Sequence, residues 1–340
     1  MRDSRFEVTR IFAMLFVVLA HFSLYEPWKT SGLSVLGLTQ IYFYRPFGQI
    51  GVYLFVLISA YFMSTKIPTL KQSISRSKKV WLETFFYSTV IVLIYTLVTK
   101  DIHPRLILTS FFPFFLNAYW FVTAYIMLVL LLPFVNKLLS TISKKEYQYL
   151  LLLSSIFTLI LPPIFNTVAS DTHGFLILFT IYLIGAYLKK YNVTIRSKWL
   201  FISMFLSLVA FYISMNLLYR LGVNFSRVDT FGYGVLPAIF AVSLFILIKQ
   251  RKPFHSRIIN LMAGNVFSVY LITVHPAIQS LIFTKIFNVA KIQGYHPPYL
   301  LAVGLVIAIF LVLVSCLIDS LRKIIFKMLH SVFLKFHIAN

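Results

Sequence analysis

The sequence predicts an all-α, polytopic integral membrane protein of about ten transmembrane helices with both termini cytoplasmic. Three observations predict it. Hydrophobic residues make up 59% of the 340 positions and charged residues only 12%, about half the charged share of an ordinary soluble domain. The apolar residues fall in long runs, each near the roughly 20 residues a helix needs to cross the hydrocarbon core. Of the 31 Lys and Arg residues, 23 collect in alternate inter-run segments, as positive-inside sorting requires.

The apolar runs place spans at about 8–25, 46–63, 80–98, 116–135, 149–165, 173–189, 199–219, 231–248, 260–284 and 299–321. The fourth and ninth are the least clean. Before the fourth, the apolar stretch Leu106–Leu116 is interrupted by Pro113, so it reads as a re-entrant or interfacial piece. The ninth contains Pro276 directly after His275, which predicts a kink. With both ends inside, the inner segments hold Arg2, Arg5 and Arg10, then the clusters Lys66–Lys79, Lys137–Lys145, Lys189–Lys198, Lys249–Arg257 and Arg322–Lys335. The other eight basic residues fall outside. One span more or fewer would scramble this alternation.

The chain reads as a single transmembrane domain, 1–340, with 323–340 forming a basic, amphipathic cytoplasmic tail that lies along the inner surface. The first span carries no small-residue cleavage site after it and reads as retained. No inverted repeat is visible. The net charge of +22 does not imply nucleic acid, because the basic residues alternate between loops and do not form one stripe. The single cysteine, Cys316, excludes an internal disulfide or a thiolate metal site. No metal-binding, Walker or dinucleotide pattern occurs, and no glycine-flanked serine elbow.

The residues that point to chemistry begin on the first span. Arg10 and His21 lie eleven positions apart, close to three helical turns. They therefore share a face, about 16 Å apart along the axis. Glu7, three residues before Arg10, can pair with it. Ionisable groups inside a membrane are costly and mark functional sites by default, although an anchoring arginine and an interfacial histidine would satisfy the same pattern. A neutral imidazole can take a proton from a hydroxyl near neutral pH. A guanidinium offers a planar fork to phosphate. An acyl-coenzyme A needs both: phosphates held at one end and a base beside the thioester at the other.

The pattern Glu7-x-x-Arg10-x10-His21 resembles the first-span motif of the membrane acyltransferase family 3. These are the O-acyltransferases of bacterial surface polysaccharides and related acceptors. The second span, Gly51-Val-Tyr-Leu-Phe-Val-Leu-Ile-Ser59-Ala60-Tyr61-Phe62, is similar to the family's aromatic run ending in Ser-Gly-Tyr/Phe. Arg76-Ser-Lys78-Lys79-Val-Trp81 resembles its Arg-x-x-Arg cluster, Ala118-Tyr-Trp120-Phe-Val-Thr-Ala-Tyr125 its Trp-Phe segment, and Val269-Tyr270-Leu-Ile-Thr-Val-His275-Pro276 its Tyr-Leu-x-His signature. The likeness covers nearly the whole chain in order. Three positions depart from the pattern: Glu7 for Asp, Ala60 for Gly, and Lys79 for the second Arg. Lysine lacks the bidentate fork, and Ala60 predicts a less close backbone approach.

The resemblance implies transfer of a short acyl group, commonly acetyl, from cytoplasmic acyl-CoA (acetyl-CoA or another short acyl-CoA) to a hydroxyl of a cell-surface polysaccharide or lipid-linked glycan at a bacterial plasma membrane. In it His21, Arg10 and Glu7 are the catalytic set, with His21 as general base or transient acyl carrier. Arg10, Arg76, Lys78 and Lys79 hold the coenzyme phosphates. Ser59, Trp120, Tyr125 and His275 line the substrate pocket, and no metal takes part. A carrier or flippase of polysaccharide or lipid-linked sugar is the alternative. A sensor or scaffold with a retired site is a third reading. Partners are the acyl-CoA, the glycan or lipid-linked sugar and membrane lipids; the oligomeric state stays open. Glu83 reads as a partner of the Lys78–Lys79 cluster. Asp171, His173, Arg227 and Asp229 are polar groups expected near the outer loops.

Overall fold

In the computed structural model, all regular structure among the described residues is helical. The structure describes residues 2–30, 32–165, 170–222 and 230–338, and side chains in all of these except 170–173, 230 and 329–338. Arg227 and Asp229, and the side chains of Asp171 and His173, therefore lie outside the described set.

In chain order the helices are α1 (Ser4–Tyr25), α2 (Val35–Ile41), α3 (Arg45–Met63), α4 (Leu70–Thr99), α5 (Pro104–Phe111), α6 (Trp120–Thr141), α7 (Lys144–Phe165), α8 (Ser170–Lys190), α9 (Ser197–Arg220), α10 (Val235–Lys249), α11 (Arg257–Ala263), α12 (Val266–Thr273) and α13 (Pro297–Ile338). Among the described residues, eight helical stretches are long and apolar enough to cross a membrane, and α8 is a further helix of 21 residues. Large apolar side chains such as Leu97, Phe134, Phe157, Phe205 and Val306 face outward. That is what a helix bundle surrounded by lipid exposes, and the chain is a multi-pass membrane protein.

The expected ninth span is not one helix. After α11 and α12 the backbone leaves helical geometry around Val274–Pro276, then re-forms as a wide π-type turn over Leu281–Phe287. Pro276 ends the helix where the sequence predicts a kink, because it constrains the residue before it away from helical geometry. Over Leu106–Leu116 the chain forms the end of a short α5 and then turns that lead up to α6. Within α7, residues Ile156–Ile160 widen to π geometry. Pro162 and Pro163 follow, and their rings cannot accept the ordinary i−4 spacing. α13 is continuous through 323–338.

α1 is seated at its start by side chains. Asp3 caps it, accepting from the Arg5 N–H at 3.1 Å. The Arg5 guanidinium pairs with Asp3 and donates to the carbonyls of Lys249 (2.9 Å) and Arg251. That pairing holds the Asp3 carboxyl below the usual carboxylate range. α1 then crosses α3 at very short range. A β-carbon on Gly51 would fall 2.3 Å from the Ala13 carbonyl oxygen, and one on Gly48 2.7 Å from the Ala20 Cβ. Small residues at such a crossing let two backbones meet without an aqueous driving force. Gly51→Ala is expected to cost about 1–3 kcal/mol by overpacking, read as a lower midpoint of thermal unfolding in detergent.

The α3–α8 crossing is also close, and the residue that permits it is on the partner helix. Gly185 lies opposite Ala60, where a β-carbon would come within 2.6 Å of the Ala60 Cβ. The alanine expected to loosen that approach is thus offset by a glycine the sequence motif does not contain.

Glu83 does not pair with Lys78 or Lys79, which are exposed. It accepts from Arg322 of α13 at 2.9 Å. Arg322 also bonds Asp319, which takes the Tyr87 hydroxyl at 2.8 Å and the Lys323 ammonium at 2.6 Å. An acid one turn beyond Lys79 on α4 faces its own helix's lysines only if it points outward. Here it points inward, to α13.

Candidate functional site

Three helices, α3, α6 and α8, run in the same direction and enclose two cavities at opposite ends. The first, of about 280 Å³, lies at their N-terminal turns and is lined by Gln49, Trp120, Thr123, Gly174 and Tyr233, among others. Gly174 makes room there, since a β-carbon on it would meet the Trp120 indole at 3.0 Å. The second, of about 750 Å³, lies at their C-terminal ends, lined by Ser64, Lys66, Asn136, Ser140, Lys189 and Lys190 and their neighbours. Fifteen residue steps, from Gln49 on α3 to Ser64 at its C-terminal cap, separate the two, or about 22 Å of helix.

Polar groups continue between them. The Tyr125 hydroxyl lies 3.4 Å from Ser59 Oγ. The Tyr182 hydroxyl donates to Asn136 Oδ1 at 2.7 Å, and both Tyr125 and Arg76 lie within Coulombic reach of Tyr182. So Ser59, Tyr125 and Arg76 come together along one line, and Trp120 joins its upper end.

His21 sits one turn before the C-terminal end of α1, and Tyr25 links it to the first cavity. Its ring centre is 5.2 Å from that of Tyr25. Arg45 is within Coulombic reach of both rings. Tyr25 is in turn near Tyr233, which lines the cavity and whose carbonyl accepts the Tyr53 hydroxyl at 2.6 Å. The Nδ1 of His21 is sealed from solvent and has no hydrogen-bond partner. A buried polar atom left unpaired is costly and marks a place for a ligand or a mechanistic role.

Three turns back, Arg10 Nη1 bonds Glu7 Oε1 at 2.7 Å, with Glu7 7% and Arg10 29% exposed. The spacing on α1 predicts this pairing. Glu7 holds the guanidinium while leaving part of it open.

His275 is placed differently. It is fully buried, and both ring nitrogens are used. Nε2 lies 3.0 Å from the Ser88 carbonyl, and Nδ1 accepts the Ala277 N–H at 3.0 Å. The ring ties the break after α12 to α4 and lines neither cavity. Lys78 and Lys79 sit on the exposed side of α4. Among the described residues, no group of three or more His, Cys, Asp or Glu could hold a metal ion.

Sequence reasoning overlooks Arg45 near His21, Gln49 and Tyr233 in the first cavity, and the Lys66–Lys189–Lys190 cavity. The lysines read as topology, and only Asn136, a lone amide in an apolar span, signals that end. It also overlooks Glu26, at the end of α1. This carboxyl is 4% exposed and accepts the Ala290 N–H at 3.3 Å. Burial pushes it up to about 7, with that N–H partly opposing. The native state therefore keeps a proton that the unfolded chain has already lost above about 4.5. Its contribution is fully present at low pH and is lost as pH rises through about 7. The unfolding midpoint is expected to fall between pH 5 and pH 8, and Glu26→Gln should flatten that slope.

The bundle thus carries a cationic cavity at one end, a second cavity at the other and polar side chains between them. A family profile described as an acyltransferase domain, of acyltransferase family 3, matches residues 3–318. The chain belongs to that family, and its general activity is acyl transfer. No curated protein and no solved structure matches the chain.

Proposed function

We propose that the chain transfers a short acyl group, acetyl first, from cytoplasmic acyl-CoA to a hydroxyl of a surface polysaccharide or lipid-linked glycan on the far side of a bacterial plasma membrane. The basic end of the bundle faces the cytoplasm, as its lysines and arginines require. The observation that carries the reading is His21 Nδ1, buried and unpaired, with Tyr25 between its ring and the cavity-lining Tyr233. A neutral imidazole there accepts the proton of the acceptor hydroxyl as its oxygen attacks the thioester carbonyl. The C–S bond then breaks, and the coenzyme thiolate takes the proton from the imidazolium. If the imidazole itself takes the acyl group first, the same acceptor oxygen displaces it in a second step. Arg45 offers positive charge near the oxyanion. Arg10, steadied by Glu7, and Arg76, Lys78 and Lys79 attract the donor's phosphates.

The test is to replace His21 with alanine and measure O-acyl content against total surface glycan. Lost acyl groups with normal glycan export support the enzyme. Lost export with normally acylated residual polymer overturns it in favour of a carrier.

A further inference from the structure

We infer that the cavity between the C-terminal ends of α3, α6 and α8 binds a phosphorylated nucleotide, the adenosine bisphosphate end of the acyl-CoA donor, through Lys66, Lys189 and Lys190. This rests on the acyl-transfer reading for the donor's identity, and its geometry stands independently. The cavity's volume of about 750 Å³ falls within the usual 300–1,000 Å³ range of small-molecule sites. No carboxylate lines it, and among the described residues none pairs with its three lysines. Lys249 lies within Coulombic reach of Lys189 and adds to the positive field.

Two of the cations, and the loop that carries the third, are held in place. The Lys189 ammonium sits 4.3 Å from the Tyr61 ring centre, and Lys190 Nζ donates to the Leu139 carbonyl at 2.5 Å. The loop carrying Lys66 is clamped by Asn136, whose Nδ2 donates to the Met63 and Lys66 carbonyls at 2.8 Å each. Asn136 is in turn fixed by Tyr182. Ser64 Oγ, sealed from solvent and without a partner, lines the same wall. Topological sorting accounts for lysines on this face. It does not account for a walled cavity with a clamped rim and an unused hydroxyl. Several ammonium groups around one polyanion give charge-assisted hydrogen bonds and a focused attractive field. From this cavity the line Tyr182–Tyr125–Ser59 leads towards the His21 end, so a donor gripped here by its nucleotide extends its thioester along the polar path.

The experiment uses the intact chain in phosphatidylcholine nanodiscs, with adenosine 3′,5′-bisphosphate and coenzyme A titrated by calorimetry. Lys66→Gln and Lys189→Gln should each weaken both ligands about tenfold, with unchanged unfolding midpoints. Lys66→Arg should restore affinity, and binding should weaken with salt. Inorganic phosphate should compete only weakly. Equal affinity in wild type and both glutamine variants overturns the site. So does displacement of the nucleotide by phosphatidylglycerol in the nanodisc, which would assign the lysines to a lipid headgroup. His21→Ala should bind both ligands normally. Lysine-dependent nucleotide binding with no glycan acylation in cells would leave the site standing and remove the acyl-transfer reading. His21-dependent acylation with nucleotide affinity indifferent to the lysines would do the reverse.

Discussion

His21→Ala is expected to lower acyl transfer by about 10²–10⁴-fold, the range a positioned general base contributes, while leaving the fold intact. The ring packs against Tyr25 on the inner side of α1, and its Nδ1 makes no hydrogen bond that folding would lose. Truncation removes an unpaired buried polar atom, so its cost in stability is small beside its cost in rate. His21→Gln keeps a polar tip without a titratable nitrogen and should be equally slow. Arg10→Ala should act differently. It frees a Glu7 that is 7% exposed, so it should lower the unfolding midpoint as well as donor affinity. Acyl content of isolated glycan and thermal unfolding of the purified protein, measured together, separate these outcomes. A His21→Ala protein with normal acyl content would refute the assignment.

The second large effect concerns stability. Asp319→Ala is expected to cost roughly 3 kcal/mol, the lower end of what breaking a buried ion pair costs. Asp319 is fully buried and receives Tyr87, Arg322 and Lys323. Without it, two cations are left beside the single carboxylate of Glu83, which already bonds Arg322 at 2.9 Å. Lys323 is 45% exposed and can turn to water, which keeps the cost from the upper end. The double change Asp319→Ala with Arg322→Met should recover part of the loss, because removing both partners spares the unpaired charge. Unfolding midpoints of wild type and the two variants in one detergent check this, and an Asp319→Ala midpoint equal to wild type would show that the pair contributes nothing.

What the sequence made legible was whatever repeats along one helix. The Glu7–Arg10 pair, three residues apart, and the shared face of Arg10 and His21 follow from helical geometry alone. So do most of the long apolar spans. Interactions between helices distant in the chain were not legible. Glu83 meets Arg322 across 239 positions, so its local lysines were a false lead. Gly185 offsets Ala60 from another helix, and no motif on α3 could announce it. His275 looked like a pocket residue because an imidazole in an apolar run is unusual, but its two nitrogens are spent on backbone groups, one in α4 and one at the helix break. The lysine cavity draws on α3, α6 and α8 at once. Each lysine alone satisfied the positive-inside rule, so nothing in the one-dimensional pattern set them apart.

The common direction of α3, α6 and α8 has an electrostatic consequence. Aligned peptide dipoles give each helix about half a positive charge at its first turn and half a negative charge at its last. The Gln49, Trp120 and Gly174 ends all open on the first cavity, so three positive poles converge there, at the end of the bundle where the proposed reaction would put charge on a carbonyl oxygen. Three negative poles converge at the other end, where Lys66, Lys189 and Lys190 more than offset them. The backbone itself therefore favours an anion at one mouth and needs ammonium groups to welcome one at the other.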